Sequence, residues 1–246
     1  MNKNFFTFKN LDGEYSALAY DLRTGTPAGV FGVTEPHKYL LASLSPYKTL
    51  YVTPDYVTAE KAYKSISVFS GKKCVLLPAK DEVILYKDAL SKDALFRRLS
   101  AVHGILTDAE IIVCAVEAVM QLFPEKIRTL SFAVDGEYDY RALPAELVAM
   151  GYTREYSVET RGAFAVRGDI LDIFPVNSEN PVRIDFFGDT IEKIRPYDAV
   201  SGERLEEISR LEIIAATDAE FTADDVPRVR RALASSLKTC ADSSAF

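Results

Sequence analysis

The stretch GVTEPHKY, Gly32 to Tyr39, has the spacing of a phosphate-binding loop without its chemistry. In the pattern GxxxxGK[ST], glycines let the backbone curl around phosphate, the lysine neutralises it and the hydroxyl ligates magnesium. Gly32 and Lys38 fit. His37 stands where the second glycine should be, and its side chain crowds the curl. Tyr39 replaces the small hydroxyl with a phenol on a bulky ring. Pro36 removes a backbone N–H donor, and Glu35 adds negative charge where an anion would sit. A lone glycine–lysine spacing also arises by chance, so the residues by themselves leave both origins open. A working motor ATPase would further need an acidic pair at a strand end. Asp81-Glu82 is the candidate, but Pro78, Ala79 and Lys80 separate it from the nearest strand, and a solvated loop is the simpler reading.

A second set of residues suits binding rather than catalysis. From Val182 to Phe187 the sequence alternates strictly. Val182, Ile184 and Phe186 point one way, as a core face. Arg183, Asp185 and Phe187 point the other. Single exposed apolar residues are ordinary. A phenylalanine two positions from a carboxylate and four from an arginine also has the composition of a recognition patch. Alternation alone does not choose between the two.

These residues lie within RGAFAVRGDILDIFPVNSENPVRIDFFGD, Arg161 to Asp189. Strands are expected at Ala163–Val166, Ile170–Phe174, Val182–Phe187 and Thr190–Arg195. Gly168 should mark a bulge or bend, and residues 177–181 a turn. FAVRGDILDIFP followed by PVRIDFFGDTIEKIR resembles domain 2 of the nucleotide-excision-repair protein UvrB. It is still more similar to the same module at the N-terminus of bacterial transcription-repair coupling factors, and the likeness extends more loosely over almost the whole chain. The resemblance implies that the module docks UvrA. Carried over residue by residue, the docking positions are Arg167, Arg183 and Phe187. It also implies that GVTEPHKY (Gly32, Glu35, Pro36, His37, Lys38, Tyr39) is a degenerate relic, since UvrB keeps a working loop here and the coupling factors do not. For Arg167 a salt bridge to Asp169 or Asp185 is the alternative role.

Composition bounds the class. The chain has 246 residues, 48% hydrophobic and 26% charged, as in an ordinary globular protein. No apolar run nears the roughly 20 residues of a membrane helix, and MNKNFFTFKN lacks a signal peptide's apolar region. The expected compartment is the cytoplasm, with no membrane partner. Cys74, Cys114 and Cys240 are an odd number without metal spacing, and two histidines make a zinc site improbable. A net charge of -7 opposes duplex DNA, whose non-specific binding rests on Lys and Arg.

The elements that must position these groups follow from periodicity. Residues 1–23 carry a helix-like pattern, and Val30–Val33 reads as a short strand before a helix starting at Thr34–Pro36. Further strands are expected at Thr49–Thr53, Lys73–Leu77 and Glu110–Ala115. Helices are expected at Asp55–Ser67, from a Ser91 cap to Gly104 with Leu95, Phe96, Leu99 and Val102 inward, and at Val116–Leu122. His103, in a last turn, suits a helix-dipole contact. This alternation predicts an α/β fold: a P-loop-NTPase-like parallel sheet with helices on both faces over 1–127. Thr129–Val134, a helix Tyr140–Met150 and the strands above form an α+β module over 128–200. Residues 201–246, with a strand Leu211–Ala215 and an amphipathic helix Asp224–Lys238, should begin the return to the first unit. The resemblance implies that this unit continues past residue 246.

The expected role is therefore a docking region without catalysis or cofactor, recruiting UvrA where RNA polymerase has stalled. In the longer proteins it resembles, separate regions contact RNA polymerase and double-stranded DNA and use ATP and magnesium for translocation. An intramolecular contact with the C-terminal part could mask the docking face. The alternative is an ATP-using, damage-binding UvrB relative. Against it, Tyr138-Asp139-Tyr140 is too short for UvrB's aromatic DNA-clamping hairpin.

Overall fold

A computed structural model of the chain describes residues 13–80, 92–218 and 226–241. The first twelve residues, Asp81, Glu82 and Ser91 lie outside the described residues, as do the side chains of Leu237 and Cys240. The chain is a mixed α/β structure with parallel and antiparallel sheets.

The first part opens with helices α1 (Gly13–Thr24) and α2 (Glu35–Leu44). Three apolar strands follow, β1 (Thr49–Thr53), β2 (Cys74–Leu77) and β3 (Ile111–Ala115). They pair in parallel in the order β1-β3-β2. Helix α3 (Tyr56–Ser70) packs Ala59, Ala62 and Ile66 against Ile111 and Val113, together with Tyr39 from α2. On the other face α4 (Lys92–Thr107) sets Ala101 and Val102 against Leu77 and Cys114, and the short α5 (Val116–Val119) adds Ala118. Helices thus cover both faces.

Local chemistry fixes the ends of α3. Asp55 accepts from the Thr58 amide at 2.8 Å and from its hydroxyl at 2.8 Å, a side-chain N-cap. Gly71, at φ +61°, terminates the helix in the left-handed region. These hydrogen bonds hold the Asp55 carboxyl below its ordinary 3.8. A depressed carboxyl contributes stability above its unfolded-state pKa and loses it as pH falls through the folded value. Asp55→Ala should therefore lower the thermal midpoint at pH 7. The gap from the parent chain should close once the pH drops below the depressed value, as melts across acidic pH would show.

Several boundaries differ from the periodicity. Val30–Val33 forms no strand; it belongs to an irregular loop with Phe31 93% exposed, and it pairs with no described strand. Helix α4 runs through Gly104 to Thr107. A Cβ on Gly104 would lie 3.0 Å from Val75 Cγ2, so this glycine serves close helix–strand approach and is not a cap. His103 faces the Glu212 carboxylate, Nε2 to Oε1 3.1 Å, instead of the helix end. Buried Cys114 and half-buried Cys74 are free, and burial pushes the Cys114 thiol up.

The second part starts with β4 (Thr129–Ala133) and α6 (Leu143–Ala149). The helix begins later than Tyr140 because Asp139 Oδ1 captures the Arg141 and Ala142 amides, each at 3.1 Å, in a turn. A five-stranded sheet follows in sequential order: β5 (Thr153–Arg154), β6 (Ala163–Arg167), β7 (Ile170–Ile173), β8 (Val182–Phe187) and β9 (Thr190–Pro196). Apart from the parallel β5–β6 pair it is antiparallel. Gly168, at φ +58°, is not a bulge: with Asp169 it forms the two-residue turn between paired Arg167 and Ile170. The irregularity lies elsewhere, where pairing passes from Asp185–Lys193 to Phe186–Ile191 and leaves Glu192 as an extra residue on β9.

Strand β10 (Arg210–Ile214) pairs antiparallel with β4. Its position in the chain, within residues 201–246, places it in the return to the first unit. Its Ile213 and Ile214 instead share one core with Phe132, Leu147, Phe164, Leu171, Ile184 and Ile194. Phe96 and Leu99 of α4 enter the same core, so α4 is packed on two sides. Helix α7 (Val226–Ala241) follows, with Val226 and Leu233 exposed.

Candidate docking face

The outer face of the five-stranded sheet carries the residues singled out on β8. Val182, Ile184 and Phe186 are buried, while Arg183 and Asp185 are half-buried and Phe187 is 75% exposed. The alternation is therefore real, and Phe187 stands in solvent at the end of β8. A hairpin presents it: Phe187 pairs with Thr190 across Gly188-Asp189, with Gly188 at φ +63°. Asp189 ties this hairpin down. Its carbonyl accepts from the Tyr138 amide at 2.7 Å and its Oδ1 from the Tyr140 amide at 3.2 Å. The Tyr140 ring packs on Phe186 at 4.6 Å, and its hydroxyl donates to the Gly168 carbonyl at 2.6 Å. Tyr138 accepts from the Ala133 amide and donates to the Ser131 carbonyl, both at 2.9 Å. The tyrosine pair thus braces the two hairpins.

Arg183 is not a free cation. Strand register sets it opposite Asp172 on β7 and Arg195 on β9. Two arginines facing each other directly repel, and flanking carboxylates resolve this. Arg183 Nε and Nη2 reach Asp172 Oδ1 and Oδ2 at 2.7 and 2.9 Å, a bidentate pair. Arg195 pairs with Asp185. The Asp172 side chain is only 6% exposed and that of Arg183 40%, so the outer part of the guanidinium remains presented. Its Cζ also lies 6.0 Å from the Tyr197 ring centroid.

Arg167 forms neither of the salt bridges considered for it. Its Nη2 donates to the Tyr156 carbonyl at 2.5 Å, and its guanidinium sits 5.2 Å from the Tyr156 ring centroid. Its charge is left without a carboxylate among the described residues, and Asp185 is taken by Arg195. Arg167 and Arg183 line one cavity; Phe187, four residues along β8 from Arg183, is not part of its wall. At the strand rise the ring is about 13 Å from that position. Asp172, Arg195, Tyr156 and Tyr197 were not legible as site residues. For Asp172 and Arg195 the only signal was a charged residue inside a strand whose opposite strand was undetermined; Tyr156 and Tyr197 lie outside the strands and gave none.

The loop GVTEPHKY lies apart from this face. Gly32 adopts φ +71°, and Thr34 occupies the N-cap position of α2 with Pro36 in its first turn. The Thr34 hydroxyl is spent on His37 Nδ1 at 2.7 Å and caps no amide. Lys38 is exposed. Tyr39 is buried among Ala59, Ile66 and Val113, with its ring edge-on to Tyr51 at 6.1 Å. Burial and the Glu35 charge push its phenol pKa up. The hydroxyl position of the spacing pattern thus faces the sheet core.

Comparison with known proteins fits this geometry. Residues 130–218 match the family described as the UvrB interaction domain; that span takes in β4, the five-stranded sheet and β10. The chain is 34% identical over 196 residues to a transcription-repair-coupling factor of Myxococcus xanthus, covering 74% of this chain and 16% of that protein. For the coupling factor of Bacillus subtilis the identity is 28% over 197 residues, covering 76% and 17%. It is also 33% identical over 144 residues to UvrABC system protein B of Microcystis aeruginosa, covering 57% and 22%. The chain thus spans about a sixth to a quarter of the length of these relatives. The resemblance to UvrB and to the coupling factors is shown. No described helix is long and apolar enough to cross a membrane.

Proposed function

We propose that this chain is a non-catalytic docking region of a transcription-coupled nucleotide excision repair factor, and that it recruits UvrA where RNA polymerase has stalled. The observation that carries the reading is Phe187. A phenylalanine 75% exposed at the tip of a braced hairpin does nothing for this chain's own core, yet the surrounding contacts hold its backbone in one place. Aromatic residues and arginines are enriched among the anchors of protein interfaces. Arg183 and Arg167 offer planar donors for acidic groups on the partner. The match over residues 130–218 supports the same assignment.

The direct test is complex formation between this chain and purified UvrA, followed by analytical ultracentrifugation. A stable complex is expected; no co-sedimentation at micromolar concentrations would refute the role. The reading also holds that GVTEPHKY binds no nucleotide. Tyr39 packs its ring against Ile66 and Val113, and a phenol on a bulky ring does not replace the small hydroxyl that ligates magnesium in such loops. Titration with ATP and magnesium should give no saturable signal, and a dissociation constant in the micromolar range would favour an ATP-using relative instead.

A further inference from the structure

The five-stranded sheet begins at β5, at the opposite edge from β9, and β5 is bonded on one side only. The Thr153 amide donates to the Gly162 carbonyl and the Glu155 amide to the Phe164 carbonyl, both at 2.8 Å. In a parallel pair, the residue between two such donors turns its own amide and carbonyl the other way. The Arg154 amide and carbonyl are therefore directed away from β6, and neither has a hydrogen-bond partner among the described residues. Thr153 and Glu155 share one face of β5 and line a cavity of about 580 Å³ between the sheet and the start of α4. Its floor is buried Phe96, Phe174, Ala163 and Ala216. The space exists because small residues stand beside the two rings: Ala163 is level with Thr153 in the register, and Gly162 adds no side chain. The charge at the rim is unbalanced. Asp93 is held by Arg97 at 3.0 Å and faces Arg161 at 3.8 Å. Glu155 and Glu159 pair with no cation among the described residues and stand against the single amine of Lys92.

We propose that β5 and this cavity together take an extended segment of a protein partner by strand addition. The segment's backbone pairs with Arg154. One aliphatic side chain enters the cavity, with lysine or arginine two positions to either side. In strand addition, main-chain bonds supply affinity and pockets for alternate side chains supply specificity. A residue opposite Thr153 or Glu155 projects to the cavity face, and its neighbours two positions away project to the same face. There the two glutamates select cations, while the apolar floor gains most from an aliphatic group. The site is separate from the face that carries Phe187, since β8 lies three strands away, about 14 Å. It stands or falls independently of the UvrA assignment.

The test uses the whole chain and a blocked heptapeptide with leucine at its centre, lysine two positions to either side and threonine elsewhere. Titrated at constant ionic strength and followed by backbone amide NMR, it should move the Arg154 and Glu155 resonances saturably. Alanine in place of the leucine should weaken binding about tenfold or more. Glutamate in place of both lysines should weaken it about threefold to tenfold. N-methylation of the leucine and of the threonine on either side removes the amides available to Arg154 and should abolish binding. So should Arg154→Pro, which deletes the outward N–H and keeps both bonds to β6; proline is tolerated at such a position of an edge strand. A linear response, or equal binding of the N-methylated peptide, overturns strand addition, and that arm decides even if Arg154→Pro fails to fold. Equal binding of the alanine peptide overturns the cavity as a side-chain site, and equal binding of the glutamate peptide overturns the basic partner. Phe187→Ala should titrate as the parent chain does. A parent-like titration in that variant supports a separate site whatever its effect on UvrA, and a lost one overturns it.

Discussion

Phe187→Ala should weaken the complex with UvrA by about 30-fold or more, which corresponds to the roughly 2 kcal/mol of a hot-spot residue. The thermal midpoint should stay unchanged. Both halves follow from the same observation. The ring is 75% exposed, so the free protein loses almost no buried area when it goes. In a complex the ring would be desolvated against an apolar pocket, and its loss falls entirely on binding. Titration calorimetry with purified UvrA and a melt of each variant would measure the two quantities. Unchanged affinity would refute the assignment of this residue. Arg183→Ala is the weaker probe. It strands the nearly buried Asp172 carboxylate, and losing one member of such a pair destabilises the fold. Its effect on UvrA would mix lost contact with lost structure. Arg183→Lys keeps the charge but not the bidentate fork, and it should fall between the two.

Gly162→Ala should be the most damaging single-methyl change in the second part of the chain. Gly162 sits at φ +79°, and a Cβ there would lie 2.6 Å from Cζ of Phe96. The left-handed conformation alone costs about 1–2 kcal/mol for a residue with a side chain. Overpacking adds about 1–3 kcal/mol. Phe96 has little room to yield, being only 5% exposed and wedged into the core shared with Phe164 and Ile213. A midpoint lowered by roughly 5–15 °C is expected for a chain of this size. Phe96→Leu in the same chain should recover part of the loss by removing the clashing atom but not the strained backbone. If Gly162→Ala melts with the parent, the close contact between α4 and the sheet is wrong.

That contact shows where sequence reading reached its limit. The inward set Leu95, Phe96, Leu99 and Val102 was legible from helical spacing, and all four are buried or packed against a core. Periodicity says that a face is buried, not against what. Phe96 and Leu99 turn to the second core while Val102 turns to the first. Likewise Leu211–Ala215 was legible as a strand, yet its partner was not. A strand's hydrophobicity does not distinguish a parallel neighbour from the antiparallel β4 it joins. Val30–Val33 shows the converse: β-branched composition without a neighbouring edge leaves a loop.

Within the candidate site, the alternation of Val182 to Phe187 determined by itself which side chains are buried and that Phe187 faces solvent, because side chains on one strand must point to opposite faces in turn. The departures of GVTEPHKY from the phosphate-loop pattern were likewise written in its residues. Tertiary structure alone decided what each arginine does. Arg183 is clasped by Asp172, Arg167 rests on Tyr156, and Arg195 pairs with Asp185. Those relations depend on register between strands far apart in sequence and on one loop folding over the sheet. A linear pattern of charges does not contain that information, since a shift of two residues in pairing would preserve every buried face and exchange every ionic partner.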